Sequence, residues 1–365
     1  MSETKSIAVV GLNVGRNHIV EGIVPRPERW RLTAVCDLNR ERLDTVADEF
    51  GVESRTDSFD ELLARDDIDV IDLGTPPATH VELTTKALAA GMHVICEKPL
   101  AGTIAEVDRM AEAEKKSGRM LMPVFQYRFG DGVQKAKRII DSDIAGKPYL
   151  GTIETHWKRT PAYYEVKWRG KWATELGGVL MTHAIHQHDM LNYLMGPVSK
   201  LFARAVTRVN AIEVEDCVAA SLEMESGALV ALSATLGSQN EISRLRLCYE
   251  NVTFESGGEA YSPGDEPWTI LPANDDVAAK IEALLKGYQS VGRRYLGQLD
   301  AFHEALHGRG PNPVTVADAR RSLELATAFY HSVETGRDVA LPLGPDHPKY
   351  QGWRPEPATS EKLTT

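Results

Sequence analysis

Six short strand-like runs in the first 124 residues, five of them apolar, are separated by stretches with helical character and constrain this chain more than any other feature. Ser6–Val10, Arg31–Cys36, Asp69–Leu73, His93–Cys96 and Met120–Val124 have the length of strands and are mostly apolar, and Glu53–Thr56, which is polar, reads as a weak strand between the second and the next of them,. Arg40–Phe50, Phe59–Ala64, a stretch reaching about Ala90, and Ala105–Lys116 read as helices between them. Strands apolar on both faces and joined by helices make a doubly wound parallel sheet. Ligands in such sheets bind at the carboxyl ends of the strands, so the residues after each run carry the functional argument.

The first run ends in Gly11-Leu12-Asn13-Val14-Gly15-Arg16-Asn17-His18, a glycine turn that opens a helix. A strand, a glycine turn and a helix in that order cradle a dinucleotide phosphate on free backbone N–H groups. Asn13 stands where the second glycine of the fingerprint belongs, and asparagine tolerates the left-handed dihedrals such a turn uses. The second run ends in Asp37, suited to accept hydrogen bonds from an adenosine ribose and to repel a 2′-phosphate,. That favours NAD over NADP, with Asn39 and Arg40 nearby to soften the preference. Gly74-Thr75-Pro76-Pro77 closes the fourth run, with His80 in the first turn of the next helix.

The fifth run opens into Glu97-Lys98-Pro99. Pro99 cannot continue a central strand and biases Lys98 away from helix, so both charges sit where strand becomes loop. A lysine there can meet a substrate hydroxyl or a developing alkoxide. A surface ion pair beside a turn is the competing reading of the same two residues.

The glycine turn at Gly11, Asp37, Thr75-Pro76-Pro77 with His80, and Glu97-Lys98-Pro99, in this order and spacing, resemble the Gfo/Idh/MocA family of NAD(P)-dependent sugar oxidoreductases, which includes glucose-fructose oxidoreductase and inositol 2-dehydrogenase. The resemblance covers most of the chain, and Glu-Lys-Pro is its most specific part. It implies an N-terminal Rossmann sheet, NAD as cofactor and a carbohydrate as substrate. Cofactor contacts would come from Gly11, Leu12, Asn13, Val14, Asp37, Thr75, Pro76, His80, Glu97 and Lys98.

After Val124 the alternation stops, which divides the chain into residues 1–124, a second α+β domain over 125–340 and a Pro-rich tail over 341–365. Leu150–Trp157, Lys200–Arg208, Asp216–Glu225, Ala228–Leu236, Leu245–Tyr249 and Asn251–Glu255 follow one another as strands of a mostly antiparallel open sheet,. One face of such a sheet has to be covered, and a second copy of the chain, in a dimer or tetramer, is the expected cover. Val277–His307, interrupted at Gly287 and Gly292, and Val316–Glu334 read as scaffold helices. Tyr350 and Trp353 are placed to dock the tail, and residues beyond Pro355 read as frayed.

Gly177-Gly178 precede a helix predicted over Val179–Met195 and ended by Gly196-Pro197,. It carries Thr182, His183, His186, His188 and Asp189. At about 100° per residue His183 and His186 lie about 60° apart, whereas His188 lies about 140° and 160° from them. A three-histidine metal site on this helix alone is therefore disfavoured, and no metal is assigned. Hydrogen-bonded structural histidines are the alternative reading.

Gly177-Gly178 followed by His186-Gln187-His188-Asp189 is similar to the Gly-Gly…His-x-x-Asp helix of the same family. The resemblance implies that His186 faces the nicotinamide and works with Lys98 as the catalytic pair. It also implies that Trp168-Arg169 reaches the nicotinamide side. Gln126 and Arg128, at the exit of the last parallel strand, have a similar case as cofactor and substrate contacts. A neutral imidazole early in a helix is suited to take the proton of a sugar hydroxyl while hydride leaves the same carbon. Asp189, one turn on, is placed to orient it. Many relatives carry an acidic or amide residue where Thr182 stands, and His183 is the candidate to share the substrate contacts with Thr182.

The formal net charge of −11, with no block of Lys or Arg, lacks the footprint of a nucleic-acid binder,. Cys36, Cys96, Cys217 and Cys248 form no CxxC pair and read as reduced residues of a cytosolic protein,. No signal peptide follows Met1, and no apolar run reaches membrane-spanning length. Three activities remain in competition: a dehydrogenase acting on a secondary hydroxyl, a glycoside hydrolase that oxidises its sugar transiently on retained NAD, and a cofactor-sensing regulator. The presence of both Lys98 and His186 argues against the last.

Overall fold

A computed structural model describes residues 3–354; the fraying read beyond Pro355 lies outside the described residues. The strands β1 (Lys5–Val10), β2 (Trp30–Cys36), β3 (Arg55–Thr56), β4 (Val70–Leu73), β5 (His93–Cys96) and β6 (Leu121–Pro123) form a parallel sheet in the order β3-β2-β1-β4-β5-β6. Ile7, Val9, Val35, Ile71 and Ile95 are fully buried, as strands covered on both faces require,. The intervening helices are α1 (Leu12–His18), α2 (Arg40–Phe50), α3 (Phe59–Leu63), α4 (Pro77–Ala89) and α5 (Ile104–Ser117). Three of their starts follow from local chemistry: the side chains of Asn39, Ser58 and Thr103 accept the N–H groups of Arg42, Glu61 and Glu106,.

The second domain comprises α6 (Asp131–Asp141), β7 (Pro148–Lys158), α7 (Trp172–Glu175), α8 (Val179–Thr182), α9 (Ile185–Met195), β8 (Val198–Val206), β9 (Cys217–Met224), β10 (Leu229–Thr235), β11 (Gly237–Tyr249), β12 (Val252–Glu255), β13 (Thr269–Pro272), α10 (Asp275–Leu285), α11 (Arg294–Leu306), α12 (Val316–Thr335) and β14 (Val339–Ala340). Its strands run β13-β12-β11-β7-β10-β9-β8-β14, antiparallel except for β7 beside β10. Alternation buries Ile153, Val230 and Leu232, while α9 packs on β7 and α12 on β8.

Sequence periodicity misses α6, β13, β14 and the early start of β11 at Gly237. It also runs α8 and α9 together. The chain breaks at His183 (φ −122°), where Ala184 N–H reaches back five residues to the Val179 carbonyl at 2.8 Å. The tail docks through Tyr350 Oη, which donates to Asp108 at 2.6 Å, and through Trp353 Nε1, which donates to the Leu176 carbonyl at 2.6 Å. Among the described residues no helix is long and apolar enough to cross a membrane, and the four cysteines are unpaired.

Candidate active site

The order of the parallel sheet reverses between β1 and β4, and the carboxyl ends of these two strands form a glycine-lined cradle,. Gly11 has φ 83°, and a Cβ added there would fall 2.7 Å from the Gly74 carbonyl carbon and the Thr75 nitrogen. No side chain caps the first turn of α1, so its N–H groups are available to an anion, apart from that of Leu12, which Asp37 accepts at 2.8 Å,. Asn13 is exposed and Val14 half-buried in that turn. Such a cradle fits the pyrophosphate of a dinucleotide.

Asp37 also accepts Asn39 N–H at 2.8 Å and a two-pronged contact from Arg42 at 2.9 and 3.1 Å. Burial would raise its pKa, but Arg42 and the two backbone donors bring it below the usual carboxylate range,. Arg42 and the Asn39 N–H therefore close over the carboxylate expected to meet the ribose, while Arg40 pairs with Asp44. Thr75 and Pro76 lie beside the cradle, between β4 and α4. His80 is fully buried beside that loop, with Nδ1 3.0 Å from the Pro99 carbonyl and Nε2 2.9 Å from that of Thr75. It braces the loops after β4 and β5.

At the end of β5, Glu97 is buried and Lys98 half-buried. Glu97 Oε2 accepts the Lys98 N–H at 2.9 Å, and Oε1 lies 3.1 Å from Nε2 of His18. His18 Nδ1 is 2.9 Å from both oxygens of Asp72. Tyr295, in a helix read as scaffold, lies tilted against His18 with ring centroids 4.5 Å apart and donates to Glu97 at 3.4 Å. Gln126 Nε2 donates to Tyr295 Oη at 3.3 Å, while its Oε1 is buried without a partner. His18, Asp72 and Tyr295 were not singled out in the sequence, although a charge inside the apolar run Val70-Ile71-Asp72-Leu73 was a signal.

Lys98 Nζ crosses to the second domain and donates to the Thr182 carbonyl at 3.1 Å. Burial lowers its pKa, and Glu97 and Glu175 oppose that fall. The break at His183 makes His186 the second residue of α9 rather than the eighth of a longer helix. Its ring stacks on Tyr127 at 4.3 Å, and its Nδ1 is buried with no partner. Burial, followed by the charge of Lys98, lowers its pKa well below the usual histidine range, so the ring is neutral,.

Asp189 does not orient His186. Its carboxylate is taken by Arg128 at 2.6 and 2.5 Å, and Arg128 also lies 3.4 Å from Asp318. Burial pushes the Asp189 carboxyl up, but the guanidinium fork holds the pair ionised at neutral pH,. At 3% exposure Arg128 is a buried hub whose guanidinium is committed to these two carboxylates. Half-buried Thr182 and buried His183 are likewise engaged. The Thr182 hydroxyl donates to the Gly178 carbonyl at 2.7 Å and contacts His183 Nδ1 at 2.5 Å, while Arg159 Nε donates to His183 Nε2 at 3.2 Å. Of the five expected substrate contacts, Lys98 and His186 alone keep groups uncommitted to other side chains.

Glu215 holds this region from a distance. It accepts the N–H groups of Gly178 and Leu180 at 3.0 Å, and the Tyr330 hydroxyl at 3.0 Å. A Cβ on Gly178 would overlap the Glu215 carbonyl oxygen, so only glycine fits,. Trp168 is 45% exposed, and the Arg169 guanidinium lies 4.6 Å from its ring and 3.8 Å from that of Tyr163. Among the described residues no group of three or more His, Cys, Asp or Glu is placed to hold a metal ion.

Residues 5–125 match the oxidoreductase family with an NAD-binding Rossmann fold, and residues 133–255 match the GFO/IDH/MocA C-terminal domain. Myo-inositol 2-dehydrogenase of Thermotoga maritima is 27% identical over 85% of this chain and 91% of its own length. D-glucoside 3-dehydrogenase of Escherichia coli is 26% identical over 85% and 90%. The crystal structure of the WlbA dehydrogenase from Bordetella pertussis, in complex with NADH and UDP-GlcNAcA, superposes with a TM-score of 0.80 at 27% identity, covering 93% of this chain and 100% of that one.

Proposed function

Because the chain belongs to the GFO/IDH/MocA oxidoreductase family, we propose that it transfers hydride between NAD and a secondary hydroxyl of a sugar, polyol or glycoside, with Lys98 and His186 as its acid–base pair. It is an NAD-dependent dehydrogenase, and the names of its relatives point to carbohydrate substrates. The observation that carries the residue assignment is the reach of Lys98 Nζ to the Thr182 carbonyl, next to a neutral His186 whose ring nitrogens no protein group occupies.

In the direction from alcohol to ketone, His186 takes the hydroxyl proton and Lys98 donates a hydrogen bond to the oxygen, stabilising its alkoxide character. Bound NAD would supply the acceptor for the hydride that leaves the same carbon. Gly11, Leu12, Asn13, Val14 and Asp37 would hold it at the end of β1, with Thr75, Pro76, His80, Glu97, Lys98, Gln126 and the Trp168-Arg169 pair around it. The Asp37 carboxylate favours NAD over NADP. A second copy of the chain covers the open face of the eight-stranded sheet, where Leu229 is exposed. The unpaired cysteines fit a cytoplasmic setting,.

The test follows NADH absorbance with added NAD and a panel of inositols, aldoses and aryl glucosides, with aglycone release measured in the same samples. NADH formed in proportion to substrate is the expected result, and aglycone without net NADH would transfer the protein to the hydrolases. Lys98→Ala should lower kcat by roughly a hundredfold or more while NAD still binds. Unchanged turnover in that variant removes Lys98 from the mechanism.

A further inference from the structure

Four groups from separate parts of the chain meet behind Lys98: His18 ends α1, Asp72 lies in β4, Glu97 follows β5 and Tyr295 belongs to α11. Both ring nitrogens of the fully buried His18 face carboxylates, Asp72 at 2.9 Å and Glu97 at 3.1 Å. Hydrogen bonds on both sides require a proton on each nitrogen. Burial opposes that charge, but Asp72 and Glu97 overcome it and carry the pKa up to about 10. Glu97 is thereby fixed at both oxygens, by His18 and Tyr295 on one and by the Lys98 N–H on the other.

We propose that His18 is a positioning residue for the reaction: its imidazolium, held between Asp72 and Glu97, fixes the carboxylate that sets the place and the charge of Lys98. The inference rests on the reading of Lys98 as the group that meets the substrate oxygen. Without the imidazolium, buried Glu97 has no cation in hydrogen-bond contact, and a carboxylate in that position takes up a proton. Tyr295 and His80 also face it and supply no replacement charge. The Tyr295 hydroxyl stays neutral because burial and Glu97 raise its pKa, and burial lowers that of His80. A neutral Glu97 withdraws the foremost influence that raises the Lys98 pKa against burial, leaving Glu175 in favour of the charge and Arg169 against it. The Lys98 pKa then falls.

The full chain labelled with 15N-histidine should show both His18 ring nitrogens protonated at about pH 8, where an unperturbed histidine is neutral. A neutral ring there overturns the proposal. His18→Gln should keep NAD affinity, read by fluorescence titration, within about threefold. Its kcat should fall roughly tenfold or more. The limb of the kcat/KM profile that Lys98 governs should move to lower pH by about one unit. A lower kcat with an unmoved limb makes His18 merely structural and overturns the proposal. In a Lys98→Ala background the same substitution should cost little more, and a full additive loss also overturns it. If His18→Gln does not fold, Glu97→Gln removes the same charge at nearly the same shape and must give the same displacement. Turnover undiminished in Lys98→Ala defeats this proposal together with the reading of Lys98, whereas a Lys98-dependent enzyme with an unmoved profile in His18→Gln defeats this proposal alone.

Discussion

The two halves of the site are held in different ways. At the ends of β1, β4 and β5 the main chain places the backbone, and side chains fix the Glu97 carboxylate: Gly11 N–H donates to Cys36 at 2.9 Å, Gly74 to Val10 at 2.8 Å and Glu97 to Leu73 at 3.0 Å. Around α8 and α9 the work falls to side chains from far along the sequence. Glu215 holds Gly178 and Leu180, Arg159 holds His183, Arg128 holds Asp189, and Trp353 holds Leu176. A ladder fixes a residue by register and tolerates changes of side chain. A tether fails when its one side chain is lost.

The largest expected effect breaks the strongest tether. Arg128→Ala leaves the carboxylates of Asp189 and Asp318 facing each other without the guanidinium, and should cost about 3–5 kcal/mol in chemical denaturation,. Thr75→Ala, in the ladder-held half, should cost less than about 1 kcal/mol. Equal losses in the two variants would erase the distinction. Next comes Gly178→Ala, whose methyl group meets the Glu215 carbonyl. It should cost about 1–3 kcal/mol and lower kcat more than NAD affinity, because the strain falls on the segment that leads into His186. A variant that loses NAD affinity and kcat together would show that the halves are not independent. Among the tethers the smallest effect is that of Trp353→Phe, which removes one indole hydrogen bond for about 1 kcal/mol,. Amide exchange should quicken over residues 176–182 and stay unchanged in the parallel sheet.

This division also explains what the sequence made legible. The strands of the first sheet and the residues after them could be read because apolar runs and turn chemistry are local; α2 begins and ends where periodicity predicts, at Arg40 and Phe50. His18 was visible in the glycine turn, but its partners Asp72 and Glu97 lie 54 and 79 residues away, and no local pattern joins them. Asp189 was matched to His186 because the two are one turn apart, whereas its partner Arg128 stands 61 residues upstream. The break at His183 was hidden for the same reason. Helical periodicity runs through it, and the contact that engages the ring comes from Arg159 at the end of β7.

A single pair of strands gives the second sheet a polarity that an alternating one lacks. β7 and β10 run parallel, and their carboxyl ends are joined just beyond the last paired residues, where Arg159 N–H donates to the Leu236 carbonyl at 2.9 Å. Arg159 reaches His183 from that pole, and Lys98 reaches Thr182 from the corresponding pole of the parallel sheet. The amino ends of those strands lie outside the chemistry. Loops there can lengthen or shorten at little cost to the reacting groups, and an architecture polarised in this way can acquire new substrates by rewriting the loops of one pole only.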